Sequence, residues 1–465
     1  MTTATRPAGR QDELRTFSVE QRGIEPIPRE AKHGRPRELA WLWAAANIEF
    51  ATVATGVLPG RLFGLAFGQA VLAIIVGNLL GALLLGWFST YGVRFSLPQL
   101  MQSRSSFGIF GNSLPGLLNF VAGCSWFAVN TILGVFALER LAHWTLLECA
   151  IPLVAIQTLI AVYGHNMIKK VEARLWLVLA VIFGVVTVYA ITRGHLSTPF
   201  NAKTAGASGF SGAFIDSVAI ALAYMLGWLM FASDYTRYLP KTPSSKKRVF
   251  WCVFSSSFLS CVWLEIVGAA LGTLAFVSSP TDLMAGILPH TVAIIALWGV
   301  IVGTITANVL NLYSGSLSVK VIPGLDRVPR WIVAAVAGVI GGFLTYYLGK
   351  NGFYLNYETF LFLLAYAILP WAAIVLVDVS SGRANVDRMY YHPSKLGAGL
   401  VCWLIAIGVS TLFMDQPSGT FVHYVGPIAA AHPGLGDITY YAGFVLAALL
   451  YFPVCRYAKR HRAVA

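Results

Sequence analysis

The hydrophobic positions along the chain form long, nearly continuous runs separated by short polar segments. About 20 apolar residues in helical form cross a bilayer. These runs exceed the length of a strand and do not alternate with period two, so they predict helices rather than a β-barrel. Twelve membrane spans are predicted, at about 39–60, 65–88, 114–138, 146–164, 174–192, 213–232, 249–277, 291–316, 331–349, 355–377, 397–414 and 438–455.

Polar and large aromatic side chains interrupt four of these spans, whereas spans 2, 4, 5, 9 and 11 are mostly plain. They are Asn47 and Glu49 in span 1, Trp126 and Asn130 in span 3, Gly227, Trp228 and Asp234 in span 6, and Thr304, Thr306, Asn308 and Asn311 in span 8. A carboxylate at bilayer depth costs roughly 2.5 kcal/mol or more, which indicates a function or a partner. Spans 1 and 3 are offset by five from spans 6 and 8. This is the pattern expected of two inverted five-helix repeats with a binding site between them. We expect spans 1 and 6 to be broken near the midplane and spans 3 and 8 to complete the site.

Each of these side chains also has a purely structural interpretation. A lone Asn in a span often bonds a neighbouring helix, and a lone Trp usually faces lipid or fills the core. Glu49 could accept backbone N–H groups at a break in span 1, and Glu265 in span 7 is expected to form a buried hydrogen bond or pair. The coincidence across four spans, rather than any one residue, favours a site.

Composition and charge narrow the class of protein. Of 465 residues, 57% are hydrophobic and 11% charged, against about 25% charged in a soluble domain. The net charge of +13 follows topology, because 28 of the 33 Lys and Arg residues fall on one side of the predicted membrane. The positive-inside rule makes that side cytoplasmic. We therefore expect cytoplasmic tails at 1–38 and 456–465, a membrane domain at 39–455, and no nucleic-acid partner.

Other functional classes lack their sequence signals. The basic N-terminal segment has no apolar core, so no cleavable signal peptide is predicted. The six cysteines show no CxxC pair and are expected to pack as small apolar residues, and no His or Cys spacing predicts a metal site. We find no GxSxG, HExxH or paired-Asp motif for an enzyme and no soluble domain for a receptor. No cofactor and no obligate protein partner are predicted.

The polar set itself suggests the chemistry of a ligand. Indole faces stack on flat π-systems, and carboxamides pair with adjacent donor and acceptor atoms, as on an adenine edge. Two indoles, two or three amides and one carboxylate therefore favour a small planar heterocycle over a sugar or a free amino acid.

Several segments resemble one transporter family. "FASDYTRYLP" (231–240) is similar to the characteristic segment of the purine–cytosine permease branch of the nucleobase–cation symporters. "GIEPIP" (23–28), "QSRSSFGIFG" (102–111) and "GCSWFAVNT" (123–131) resemble further motifs of that family, in the same order. The resemblance implies an all-α transporter with twelve helices. It would contain a leucine-transporter-like 5+5 inverted repeat, about 39–192 and 213–377, and extra helices at about 397–414 and 438–455.

The resemblance also implies roles for individual residues. The stacking Trp of span 3, its polar neighbour, the span 6 Gly-Trp pair and the span 8 amide match, in that order, Trp126, Asn130, Gly227, Trp228 and Asn311. Glu49 stands where the family often has a polar side chain, commonly Gln. The family's cation site would involve Ala45 and Ile48 of span 1 and Val302 and Thr306 of span 8. Asn47, Asp234, Arg237 and Asn308 are candidates for structural or gating roles. We expect "GFYLNYETF" (352–360) to form an outer gate.

Two departures from the family pattern bear on the coupling ion. Sodium-coupled relatives have adjacent hydroxyls in span 8, but here Ile305 precedes Thr306. Glu49 is ionisable where an amide is common, so protons are favoured over sodium. The sequence thus predicts a multi-pass protein of the cytoplasmic membrane that imports a purine or cytosine with a proton. Alternatives are another heterocycle, such as a hydantoin, allantoin, a pyridine or thiamine, or sodium coupling.

Overall fold

The computed structural model describes residues 23–163, 165–274, 280–392, 394–417 and 422–462. The chain is almost entirely helical there, with one two-stranded hairpin. The α-helices are α1 Pro36–Asn47, α2 Phe50–Arg61, α3 Phe67–Phe95, α4 Gln99–Phe107, α5 Ser113–Ala142, α6 Leu146–Tyr163, α7 His165–Arg193, α8 Ala202–Ala205, α9 Gly209–Leu226, α10 Ser245–Gly272, α11 Pro280–Ile287, α12 His290–Lys320, α13 Arg330–Asn351, α14 Tyr354–Ser380, α15 Val386–Tyr390, α16 Ala398–Ser410, α17 Pro427–Ala431 and α18 Thr439–Arg462. The strands β1 Asp415–Gln416 and β2 Tyr424–Val425 pair antiparallel. Short 3-10 helices lie at Arg29–Ala31, Gly206–Ser208, Leu229–Phe231, Thr411–Phe413 and Pro433–Leu435.

The predicted spans all correspond to helices. In the described part of the chain, nine helices are long and apolar enough to cross a bilayer, and the bent pair α1–α2 makes a tenth. The two remaining predicted spans, the fourth and the eleventh, coincide with the shorter apolar helices α6 and α16. Many large apolar side chains on these helices are exposed, such as Leu159, Leu259 and Phe343, as expected for surfaces that face lipid.

Two of the four polar spans are interrupted, as predicted. Span 1 bends by 58° between α1 and α2. In span 6 the α-helix ends at Leu226, and the chain continues through the 3-10 turn Leu229–Phe231 and further turns to Leu239. Spans 3 and 8, which are α5 and α12, are continuous and pack along each other. The interrupted spans thus place irregular backbone beside two rigid helices.

Small residues allow the closest helix contacts. A Cβ at Gly56 of α2 would collide with the backbone of Glu265 in α10, and one at Gly268 of α10 would collide with the Val53 carbonyl of α2. Side-chain-free surfaces of this kind let membrane helices approach at backbone distance. Helix α2, the second half of span 1, is therefore fixed tightly against α10.

Some predicted boundaries differ from the structure. Helix α3 continues beyond residue 88 to Phe95 because Tyr91, Val93 and Phe95 keep burying apolar surface past the predicted end. Helix α10 ends at Gly272 rather than at 277. The N-terminal segment predicted as a polar tail is partly packed, since Ile24 and Ile27 are buried. Five of the six cysteines are buried and all six are free thiols.

Candidate functional site

Side chains of span 1 itself form hydrogen bonds at the break. Glu49 has an extended backbone and caps α2, because its Oε2 accepts the Ala51 N–H at 3.3 Å. The Thr52 hydroxyl donates to the Asn47 carbonyl at the end of α1 over 2.6 Å. The Asn47 amide donates to the Trp43 carbonyl at 2.7 Å. The capping interpretation of Glu49 is thus correct, and it leaves the other carboxyl oxygen, Oε1, for a second partner.

That second partner comes from span 6. The Tyr224 hydroxyl of α9 lies 3.1 Å from Glu49 Oε1 and 2.6 Å from Thr52 Oγ1. A few residues later the Trp228 indole donates to Asn47 Oδ1 at 2.9 Å. Glu49, Tyr224 and Asn47 are each no more than 1% exposed. The two interrupted spans therefore meet through buried polar contacts on both sides of the span 1 break.

Trp126 lies directly over the interruption of span 6. A Cβ at Gly227 would be 2.5–2.8 Å from three atoms of the indole, so only glycine fits at this position. Edge-on contacts with Tyr224, Tyr357 and Phe360, at centroid distances of 5.4, 6.2 and 5.2 Å, surround the ring. The contacts from Tyr357 and Phe360 bring the segment predicted as an outer gate against Trp126. Trp126 Nε1 is buried and has no hydrogen-bond partner among the described residues.

Trp228 is oriented by different neighbours. Its ring meets Trp43 edge-on at 5.7 Å and Phe231 at 6.2 Å. Gly227 therefore lies between two indoles. The Trp126 ring packs on the Gly227 Cα, and the Trp228 ring is hydrogen-bonded to Asn47 at the end of α1.

The predicted amides form one cluster around Asn308. Its Oδ1 accepts the Asn130 amide at 3.2 Å and the Asn311 amide at 3.3 Å. Its Nδ2 lies 3.0 Å from the Phe127 carbonyl, 2.9 Å from Thr131 Oγ1 and 2.8 Å from Gln157 Oε1. Asn308 thus ties α12 to α5 and α6, as the structural interpretation proposed for such a residue. Asn130 Oδ1, in contrast, is buried with no partner in the described chain.

Of the residues that the resemblance assigned to a cation, Ala45 and Ile48 lie at the end of α1 and in the break, and Val302 and Thr306 lie on α12. A Cβ at Gly303 of α12 would be 3.3 Å from Glu49 Cβ and 3.8 Å from the Ile48 carbonyl oxygen, so α12 packs against the break. Ala45 is fully buried in α1. Val302 flanks Gly303, and the Thr306 hydroxyl donates to the Gly303 carbonyl at 2.7 Å.

The family-like segments converge at the other end of the molecule. Asp234 Oδ1 accepts the Gln99 N–H at 2.9 Å, and the fully buried Arg237 donates to the Gly23 carbonyl at 2.7 Å. The Thr236 hydroxyl donates to the Ser89 carbonyl at 2.7 Å. Segments 231–240 and 23–28 and the start of α4 therefore contact one another at the side predicted to be cytoplasmic.

Sequence reasoning missed several side chains that contact this site, namely Thr52, Thr131, Gln157 and Tyr224. One spacing signal was present. Thr52 follows Glu49 by three residues and Tyr224 precedes Gly227 by three, so each lies one helical turn from a residue already selected. The expected buried hydrogen bond of Glu265 is confirmed, since its Oε2 accepts the Asn78 amide at 2.7 Å.

Comparison with known proteins identifies similar sequences among membrane permeases. The family described as permeases for cytosine/purines, uracil, thiamine and allantoin matches residues 26–398. YxlA of Bacillus subtilis, a candidate purine-cytosine permease, is 30% identical over 96% of this chain and 98% of its own length. The purine-cytosine permease fcyB of Emericella nidulans is 27% identical over 94% of this chain and 88% of its own.

Solved structures share the fold. Mhp1, a nucleobase-cation-symport-1 family transporter seen closed with bromovinylhydantoin bound, superposes with a TM-score of 0.75 at 20% identity, covering 96% of this chain and 97% of that chain. A sodium-coupled sialic acid symporter in a substrate-bound outward-open state gives 0.65 at 10% identity, covering 96% and 95%. The predicted architecture of two inverted five-helix repeats with two further helices is thereby confirmed.

Proposed function

The chain belongs to the permease family for cytosine/purines, uracil, thiamine and allantoin, and we propose that it imports a purine or cytosine together with a proton. It is a multi-pass membrane transporter of that family. The ligand would lie between the two interrupted spans and helices α5 and α12. Glu49, Trp126, Asn130, Gly227, Trp228 and Asn311 are the proposed substrate-binding residues.

The observation that carries this proposal is a pair of polar atoms on α5. Trp126 Nε1 and Asn130 Oδ1 are one helical turn apart, and both are buried without a partner in the described residues. A buried polar atom left unpaired costs about 1–3 kcal/mol. A nucleobase offers both complements, a ring nitrogen or carbonyl that accepts from the indole and an N–H that donates to the amide. Binding of such a planar ligand would satisfy both atoms at once.

Glu49 is the proposed carrier of the coupling proton. It is buried at the span 1 break, and it contacts α9 through Tyr224. Sodium is less well supported because Ile305 stands where sodium-coupled relatives have the first of two adjacent hydroxyls. Any cation would be held near Ala45, Ile48, Val302 and Thr306.

We further propose that the protein lies in the cytoplasmic membrane with both termini inside, on the strength of the Lys and Arg distribution. The proposed repeats span about 39–192 and 213–377. Asn47, Asn308, Asp234 and Arg237 then have structural or gating roles, the first two at the break and the amide cluster and the last two at the inner mouth.

Uptake in a permease-deficient bacterium tests the proposal. Cells that express the protein should accumulate at least one of labelled cytosine, adenine, guanine and hypoxanthine, and a protonophore should abolish accumulation. Uptake of none of the four would contradict the substrate assignment and direct the search to hydantoins, pyridines or thiamine. Accumulation that survives the protonophore but requires external sodium would contradict the proton.

A further inference from the structure

A chain of hydroxyl groups leads from Glu49 to the end of α1. Glu49 Oε1 is 3.1 Å from the Tyr224 hydroxyl, which is 2.6 Å from the Thr52 hydroxyl, which is 2.6 Å from the Asn47 carbonyl oxygen. All four residues are buried to 1% exposure or less. This chain connects α2, α9 and α1 in three consecutive oxygen–oxygen contacts.

The number of protons in this chain depends on the state of Glu49. Each hydroxyl carries one proton, and a carbonyl or a carboxylate can only accept. With Glu49 ionised, two protons must serve three contacts, so one close pair of oxygens would face each other without a proton. With Glu49 protonated there are three protons for three contacts, all donated in one direction, from Glu49 to Tyr224, to Thr52, to the Asn47 carbonyl.

The carboxyl group itself fits the protonated arrangement. Its Oε2 accepts the Ala51 N–H at 3.3 Å, and its Oε1 lies 3.1 Å from the Tyr224 hydroxyl. Tyr224 donates to Oε1 when Glu49 is ionised, and in the protonated arrangement Oε1 carries the proton and donates to Tyr224. The titratable neighbours that interact electrostatically with Glu49 are Tyr224, Tyr357 and Cys261. All three are neutral when protonated, so none of these three groups offsets a negative charge on Glu49.

The geometry points to a proton-dependent latch, in which protonated Glu49 fastens the two halves of span 1 to span 6 through Tyr224 and Thr52. When the Glu49 O–H bond breaks and its proton passes to water, the Tyr224 proton turns to the carboxylate. Thr52 then keeps either its bond to Tyr224 or its bond to Asn47, but not both. Loss of the proton therefore loosens the joint at which span 1 is interrupted. This inference rests on the proposed role of Glu49 in proton coupling, and it assigns Thr52 as a positioning residue.

Thr55 provides a matched control on the same helix. Its hydroxyl donates to the Ala51 carbonyl at 2.8 Å and lies 2.7 Å from the Tyr357 hydroxyl, so it repeats the Thr52 contacts one turn later. Neither of those contacts includes Glu49. Thr55→Val therefore removes the same atoms as Thr52→Val without interrupting the chain.

The test compares Thr52→Val, Thr52→Ser and Thr55→Val in proteoliposomes. Thr52→Val should leave equilibrium base binding nearly unchanged, because Thr52 is not among the residues proposed to contact the base, but lose most accumulation driven by a pH gradient. Thr52→Ser should restore it, and Thr55→Val should accumulate as the wild type does. Wild-type accumulation by Thr52→Val, or equal losses in the two valine variants, would overturn the latch.

Infrared difference spectroscopy separates the latch from the transport proposal. The C=O band of a protonated carboxyl that is absent in Glu49→Gln is assigned to Glu49. That band should shift in Thr52→Val and keep its wild-type position in Thr55→Val. This readout needs no transport, so it holds or fails even if the four bases are not substrates. Absence of a Glu49 acid band, or a band that Thr52→Val leaves unmoved, would overturn the inference.

Discussion

The two interrupted spans occupy equivalent places in the inverted repeats, yet they are interrupted in different ways. Span 1 bends by 58° between two 12-residue helices, and a carboxylate caps the second. The α-helix of span 6 ends at Leu226, directly before Gly227, and the chain continues as a 3-10 turn. The Trp126 indole packs on the Gly227 backbone, which has no side chain to exclude it. One interruption supplies a titratable group, and the other leaves room for an aromatic ring of α5. With the roles proposed above, the same topological position would carry coupling in one repeat and ligand contact in the other.

The largest effect expected from this comparison is at Glu49. Glu49→Gln keeps the shape and an acceptor oxygen but cannot carry a proton. We expect base binding to persist while accumulation against a gradient falls to equilibration and the pH dependence of uptake is lost. Counterflow and gradient-driven uptake in the same vesicles measure the two properties. Wild-type accumulation by this variant would show that the division of roles is wrong.

The next largest effect is at the glycine of span 6. In Gly227→Ala the new Cβ would lie 2.5–2.8 Å from the Trp126 indole, so the ring must move. We expect base affinity to fall by more than tenfold, since the displaced ring loses a stacking contribution of about 1–3 kcal/mol. Proton coupling per molecule transported should be unchanged. Gly184→Ala, where a Cβ meets nothing within 4 Å, is the control. Unchanged affinity in Gly227→Ala would place the ligand elsewhere.

Trp126 itself should show a graded response. Trp126→Ala is expected to weaken binding by about tenfold or more through lost stacking. Trp126→Phe should retain much of the affinity because a flat ring remains, although the indole N–H is gone. Equilibrium binding in membranes, corrected for the amount of inserted protein, measures both. Equal affinities of wild type and Trp126→Ala would indicate that this ring only packs the core.

The smallest effect is expected where the two interruptions touch. Trp228→Phe removes the 2.9 Å bond to Asn47 Oδ1 and leaves the aromatic surface in place. A single net hydrogen bond contributes about 0.5–1.5 kcal/mol, so a loss of roughly two- to tenfold in affinity is expected. A loss greater than that of Trp126→Ala would reverse the order proposed for the two indoles.

The sequence predicts the spans and both interruptions because residues that are unusual in the middle of an apolar helix are easy to recognise. Glu49 and the Gly227-Trp228 pair are examples. It does not identify Tyr224 or Thr52, because an aromatic or hydroxyl residue is ordinary in an apolar helix and becomes functional only when another helix brings a partner. It indicates that Asn308 could bond a neighbouring helix, but not that this side chain joins three helices. Such contacts depend on how each helix is rotated about its own axis, and the sequence of a plain apolar span does not determine that rotation.

The break in span 1 has a consequence for how the protein enters the membrane. Helices α1 and α2 have 12 residues each, about 18 Å of helix apiece, so neither alone crosses the hydrocarbon layer of about 30 Å. Residues 36–61 must therefore enter the bilayer as one unit that carries Glu49 near its middle. Tyr224, the side chain that later contacts this carboxyl, is synthesised 175 residues afterwards. The first span is thus inserted before its partner exists, and assembly of the second repeat completes the hydrogen bonds of the first.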